Sequence, residues 1–150
     1  MEWTQRKYLP HSVPLGIDPQ YEIYFITVCC CPKGRNQLAH SDVASGLFET
    51  IAFRNDMYCW HARLFLLMPD HAHALMSFPP SGKPIKSVIS SWKEWTAKKH
   101  GIHWQRDFFE HRLRHDESLS EKAQYILDNP VRAKLVSCAK EWPYVWFAGR

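Results

Sequence analysis

Two imidazoles stand two residues apart in DHAHALM, residues 70–76, among mostly apolar neighbours. In an extended strand residues i and i+2 project from one side, so His71 and His73 point together while Asp70, Ala72 and Ala74 point the other way. Neutral imidazoles side by side can share one divalent cation. They can equally be a hydrogen-bonded pair on a half-polar sheet face, and the following ALMSFPP supplies no further His or Asp for a zinc cluster of the hydrolase kind. A second candidate lies in QYILDNP, residues 124–130. Tyr125 and Asn129 are one helical turn apart and share a face. A tyrosine hydroxyl can attack a phosphodiester in line, and the phosphotyrosine so formed keeps the energy of the broken bond, so rejoining needs no nucleotide cofactor. The amide oxygen of Asn129 can complete a metal site with the two histidines. The structural alternative makes Tyr125 one residue of an amphipathic helix, with Asn129 and Pro130 as N-cap and first residue of a new helix over VRAKLV.

A third set of residues suits a polyanion. The formal net charge is +4, a basic lean without the extreme of a histone-like chain. Between residues 83 and 114, Lys83, Lys86, Lys93, Lys98, Lys99, Arg106, Arg112 and Arg114 are interleaved with Trp92, Trp95, Trp104, Phe108 and Phe109. Cations separated by flat aromatic faces fit a strand of phosphates and unstacked bases. The competing reading puts the aromatics in the core and the cations on a solvated helix face.

These residues need elements to hold them. YEIYFITVCC, residues 21–30, is rich in β-branched and aromatic residues and is closed by the turn residues of PKGRN, which predicts a strand. SDVASGLFETIAFRN predicts a helix with Ser41 or Asp42 as N-cap. Two strands follow, MYCWHARLFLLMP and HAHALMSF, joined tightly at Pro69 and Asp70. KPIKSVISSWKEWTAKKHG predicts a second helix, with Ile85, Val88, Ile89, Trp92 and Trp95 on one face and Gly101 as its stop. The alternation in WQRDFFEHRLRHD favours a short strand, and SLSEKAQYILDNPVRAKLV a helix interrupted or restarted at Pro130. The order β, α, β, β, α, β predicts an α+β fold: a ferredoxin-like antiparallel sheet with helices on one face, plus a C-terminal helix carrying Tyr125. The opposite face is left free for a site.

At 150 residues the expected organisation is a single domain over residues 1–150, with 1–19 an extended, proline-punctuated arm. Hydrophobic residues at 45% and charged residues at 23% fit an ordinary globular chain. The charged, proline-bearing N-terminus lacks the apolar run of a signal peptide and no later run reaches membrane-spanning length, so a cytoplasmic location and no membrane partner are expected. Five cysteines, three of them adjacent at Cys29, Cys30 and Cys31, match neither a disulfide framework nor a paired zinc motif and are expected as reduced thiols.

Taken together, MPDHAHALM, a Lys-bearing helix, WQRDFFEHRLR, YILDNPVRAKLV and WPYVWF, in this order and spacing, resemble the REP-associated tyrosine transposases, relatives of the IS200/IS605 single-tyrosine transposases within the HUH nuclease superfamily. The resemblance runs from about Tyr21 to Phe147, and YILDNPVRAKLV points to the REP-associated branch. It implies the HUH nuclease fold, with His71 and His73 as metal ligands, Asn129 as the third polar ligand and Tyr125 as the nucleophile. Asp70 stands where many relatives carry Asn, and Lys134 where many carry Gly. The implied cofactor is Mg²⁺ or Mn²⁺. Two imidazoles and an amide add no negative charge, which leaves the cation's full charge to act on a phosphate.

The resulting expectation is a metal-dependent nicking and strand-transfer enzyme acting on single-stranded or hairpin DNA, with a REP-type hairpin as substrate and a 5′-phosphotyrosine intermediate. Lys86, Trp92, Lys93, Arg106, Arg112, Arg114 and Arg132 are the expected DNA contacts, Lys93 and Arg112 foremost. The expected state is a monomer or a homodimer. The alternatives are a domesticated hairpin-binding protein that no longer cuts, and an autonomous IS200/IS605-type transposase acting as an obligate dimer.

Overall fold

The computed structural model describes residues 22–80, 83–114 and 116–149. The arm expected over residues 1–19 lies outside them. Strand β1 (Tyr24–Cys29) is followed by helix α1 (Ser41–Asp56), strands β2 (His61–Leu67) and β3 (His71–Ser77), helix α2 (Ile85–His100), strand β4 (Phe109–Arg112), helices α3 (Leu119–Leu127) and α4 (Asn129–Arg132), and strand β5 (Val145–Phe147). The sheet runs β4-β1-β3-β2-β5 with every pairing antiparallel. Its first four strands are the βαββαβ arrangement expected. β5, three residues of the aromatic tail, adds an edge that the sequence pattern does not announce.

Alternation along the strands divides the side chains into two layers. Tyr24, Ile26, Val28, Phe65, Leu67, Ala72, Ala74 and Met76 face one core, which α1 and α2 close with Leu47, Ile51, Val88, Ile89 and Trp92. Phe25, Leu64, Leu66 and Leu75 face the other side, where Ile126 of α3 and Leu113 cover them. That second face is therefore not wholly free: α3 packs across β2 and β3. An odd-even split puts His71 and His73 on the α3 side, since their strand neighbours Ala72 and Ala74 belong to the other core.

Local chemistry explains where the elements stop. The N–H of Met68 donates to the carbonyl of His71 at 2.8 Å, closing the turn at Pro69 and Asp70. α2 ends as expected at Gly101, which takes φ 68°, a conformation that favours glycine. α1 is capped by His40 without a side-chain bond, so the cap falls one residue before Ser41 and neither Ser41 nor Asp42 serves. α1 and α2 approach closely where a Cβ on Gly46 would lie 2.2 Å from Cε1 of His100. α3 opens on Ser118, whose hydroxyl accepts the N–H of Glu121 at 3.2 Å. The helix breaks at Asp128 because Pro130 has no N–H for the carbonyl of Ile126. Asp128, not Asn129, is the cap residue of α4, and Asn129 and Pro130 form its first turn.

Two features of this architecture predict stability changes. Lys134 occupies φ 61°, a left-handed position reached after α4 ends at Ala133. A lysine there costs about 1 kcal/mol, partly offset by the greater unfolded-state entropy of glycine. Lys134→Gly is expected to raise stability by about 0.5 kcal/mol in urea unfolding; a loss would show that the lysine side chain makes up the strain. Tyr24 is 3% exposed and its hydroxyl is buried without a hydrogen-bond partner among the described residues. Burial, with Glu110 assisting, pushes this phenol up to about 12 from 10.0. The unfolded chain releases the proton first, so this contribution to stability is complete below pH 10 and is lost as pH rises towards 12. Tyr24→Phe should match wild type at pH 7 and hold its melting temperature better between pH 10 and 12.

Candidate functional site

His73 is 3% exposed at the centre of the sheet, and Thr27 stands opposite it in the β1–β3 ladder. The Thr27 hydroxyl oxygen and His73 Nδ1 are 2.8 Å apart. With the proton on Nδ1 donated to Oγ1, the lone pair of Nε2 is left for another partner. Burial pushes the His73 imidazole well below its ordinary value, and the nearby charges of His71 and Arg132 act in the same direction. This ring is neutral at physiological pH, as a metal ligand must be.

His71 has a different anchor. Its Nδ1 lies 2.7 Å from Oδ1 of Asp70, and Oδ2 of that carboxylate accepts the N–H of Gly34 at 2.7 Å. The carboxylate of Asp70 thus turns back to its neighbour instead of pointing away from the pair. Burial raises the Asp70 pKa, but the hydrogen bonds from His71 and Gly34 outweigh it and hold the carboxyl below the usual range. The two imidazoles lie 4.8 Å apart between centroids at an interplanar angle of 79°. Phe25 stacks on His73 at 5.4 Å and 27°, forming an apolar wall.

The donor set fits a hard divalent ion only if the ion brings other ligands. Among the described residues no group of three or more His, Cys, Asp or Glu is placed to hold a metal. Cys29 pairs with His71 in the ladder, yet burial and the charge of Asp70 push its thiol up and keep it protonated. The Nδ2 of Asn129, the third polar ligand implied by the resemblance, is buried without a hydrogen-bond partner among the described residues. Turning the amide about χ2 presents its oxygen at that position instead, a neutral donor of the kind Mg²⁺ and Mn²⁺ accept.

α3 brings Tyr125 to this face. Ile126 is fully buried beneath the helix while Tyr125 is 42% exposed. The Arg132 guanidinium lies 4.1 Å from the Tyr125 ring centroid and donates from Nη2 to the Tyr125 carbonyl at 2.7 Å. Lys122 Nζ lies 5.8 Å from the Tyr125 ring and 5.8 Å from Phe25, the ring stacked on His73. Tyr125, Arg132 and the histidine pair are therefore parts of one neighbourhood.

The remaining expected DNA contacts separate. Trp92 is 0% exposed, packed against Trp60, Phe65 and Trp104, and has no face for a base. Lys93 is 8% exposed, and its ammonium donates to the carbonyls of Gln105 (2.6 Å) and Asp107 (3.3 Å). Burial lowers its pKa, and the charge of Asp107 opposes that shift. It ties α2 to the loop before β4 and is not a free phosphate contact. Arg112 pairs with Tyr24 in the ladder, so it projects to the α1 and α2 side, with Nη1 buried and without a hydrogen-bond partner among the described residues. Lys93 is thus a structural cation, and Arg112 lies on the sheet face away from the histidine pair. Lys86, Arg106, Arg114 and Arg132 are exposed, with Lys86 on α2 beyond the far face of the sheet. Thr27, Asp70 and Lys122 escaped sequence reasoning. Only Asp70, adjacent to the histidines, carried a local signal.

Comparison with known proteins agrees with this fold. The family model for Transposase IS200 like matches residues 20–129. A Haemophilus influenzae protein assigned to the REP-associated tyrosine transposases is 27% identical over 142 residues, covering 83% of this chain and 79% of its own length. A solved structure of a REP-associated tyrosine transposase bound to a REP hairpin superposes with a TM-score of 0.74 at 21% identity, covering 91% of this chain and 82% of the other. The crystal structure of a Deinococcus radiodurans R1 protein assigned as a transposase gives a TM-score of 0.51 at 19% identity, over 77% and 95% of the two chains. With the histidine pair and the tyrosine helix on one sheet face and the family match running from β1 through α3 to Asn129, the chain belongs to the IS200-like transposases and is an enzyme of that family.

Proposed function

We propose that this enzyme nicks single-stranded DNA beside a REP-type hairpin and transfers the strand through a 5′-phosphotyrosine on Tyr125. The observation that carries the reading is the chain of neighbours from Tyr125 to the histidine face: Lys122 Nζ lies 5.8 Å from the centroids of both the Tyr125 ring and Phe25, and Phe25 stacks on His73. The hairpin-bound relative of the same fold supports the choice of substrate. The whole reaction would take place on cytoplasmic DNA.

In the proposed step the Tyr125 hydroxyl oxygen attacks the scissile phosphorus in line. A P–O bond to tyrosine forms, the bond from phosphorus to the 3′ oxygen breaks, and the phenolic proton passes to solvent. The departing oxygen takes up a proton and leaves as a 3′-hydroxyl. Attack of a 3′-hydroxyl on the phosphotyrosine reverses the step and joins the strand, with one phosphoester exchanged for another and no nucleotide consumed. Mg²⁺ or Mn²⁺ held by His71, His73 and Asn129 would polarise the phosphate and offset charge on the leaving oxygen. Asp70 and Thr27 keep both Nε2 atoms free for that role. Arg106 and Arg114, exposed on either side of β4, are the proposed phosphate contacts away from the cut.

Two outcomes test this reading. Wild-type protein with a REP-type hairpin, labelled downstream of the cut, should form a denaturation-resistant adduct with the nucleotide on Tyr125. Tyr125→Phe should lose the adduct while binding the hairpin as before; cutting without any adduct would mean that water is the nucleophile. Thr27→Val and Asp70→Ala should each weaken Mn²⁺ binding by about 10- to 100-fold in calorimetry. Unchanged affinity in both variants would remove the Nδ1 anchors from the metal assignment.

A further inference from the structure

A nucleophile that must meet a phosphate along one line gains from a fixed approach, yet Tyr125 is 42% exposed. A side chain with that much open space ordinarily samples several χ1 wells. Two cations flank the ring. The Arg132 guanidinium lies over the ring at 4.1 Å from its centroid and is tied to the Tyr125 carbonyl at 2.7 Å. It thereby joins the backbone and the ring of the same residue. Lys122, one turn earlier in α3, sets its ammonium 5.8 Å from the ring.

The lysine is itself held. Glu117 Oε2 lies 3.7 Å from Lys122 Nζ, and Glu117 Oε1 accepts the N–H of Arg114 at 2.8 Å and lies 3.0 Å from His111 Nε2. His111 belongs to β4 and stands opposite Phe25 in the ladder, so the chain of contacts returns to the sheet beside His73. These hydrogen bonds and the ion pair leave the Glu117 carboxyl below its usual range, with the Arg114 N–H the largest influence.

We propose that Arg132 and Lys122 are positioning residues that hold the Tyr125 ring towards the histidine face, Arg132 as the principal clamp and Lys122 as the second, steadied by Glu117 and His111. The inference rests on Tyr125 being the nucleophile. A cation placed only to grip DNA would act through affinity. A clamp acts on the rate of the bound complex, because it raises the fraction of complexes in which the hydroxyl is aligned. The two residues also differ in what can replace them. Lysine at 132 keeps the charge but loses the planar stacking and the forked donor, whereas arginine at 122 keeps both charge and ring contact.

The experiment compares wild type with Arg132→Gln, Arg132→Lys, Lys122→Met and Lys122→Arg in single-turnover cleavage and in hairpin binding. Both Arg132 variants should lower the rate at saturating hairpin by about tenfold, and Lys122→Met by about threefold, with Kd changed less than about twofold. Lys122→Arg should restore the rate. A second readout uses neither DNA nor metal. With 3-fluorotyrosine incorporated, the Tyr125 fluorine resonance is identified by its loss in Tyr125→Phe, and it should move towards the free amino-acid position in Arg132→Gln. An unmoved resonance, or a rate at saturation that stays constant while Kd and its salt dependence change, would overturn the clamp and make these cations phosphate contacts. A wild type that forms no adduct while the resonance shifts as expected would overturn the nucleophile assignment and leave the clamp standing.

Discussion

The register of β1 against β3 is the constraint on which the site depends. Setting Thr27 opposite His73 places a hydroxyl 2.8 Å from the Nδ1 of a buried imidazole. A neutral imidazole in that environment needs one nitrogen satisfied if the other is to remain available, and the ladder supplies the partner. A slip of one residue would turn both histidines into the core that α1 and α2 fill with Leu47, Ile51 and Trp92. The apolar layer on that far face, where Ala72, Ala74 and Met76 alternate with the histidines, thus fixes the chemistry on the near face. Packing and function are set by the same pairing.

The sequence made local relations legible and long-range ones only in part. Period-two alternation in DHAHALM was enough to place both histidines on one side, whereas the helical spacing of Tyr125 and Asn129 is interrupted by the break at Asp128. The ferredoxin-like order followed from the succession of patterns. Thr27 was not legible, because it lies 46 residues from His73 and belongs to another strand. β5 was hidden for a related reason: three residues pairing with β2 give no periodicity to read.

The cationic and aromatic segment shows the opposite error. Its composition suits nucleic acid, but composition carries no direction. Trp92 faces inward because α2 needs a large side chain against Trp60 and Phe65, and Lys93, next to it, donates to two backbone carbonyls of the loop before β4. Arg112 follows from parity alone: on a strand that puts His111 beside Phe25, its neighbour must project the other way. The positive groups that do reach the site, Lys122 and Arg132, come from the tyrosine's own helical segment.

That segment is shaped by Pro130. A continuous helix would carry the residues after Tyr125 onward along one axis, with Arg132 almost two turns beyond the ring. Proline removes a donor at the fourth position after Ile126 and forces a new start at Asp128, so the short α4 is free to turn Arg132 back over Tyr125. Its Nη2 then reaches the Tyr125 carbonyl, which ties the new turn to the old one. The buried amide of Asn129 sits at the same break. One residue without an N–H therefore accounts for the return of Arg132 over the tyrosine, and the left-handed Lys134 after α4 is the strain left where the chain turns away.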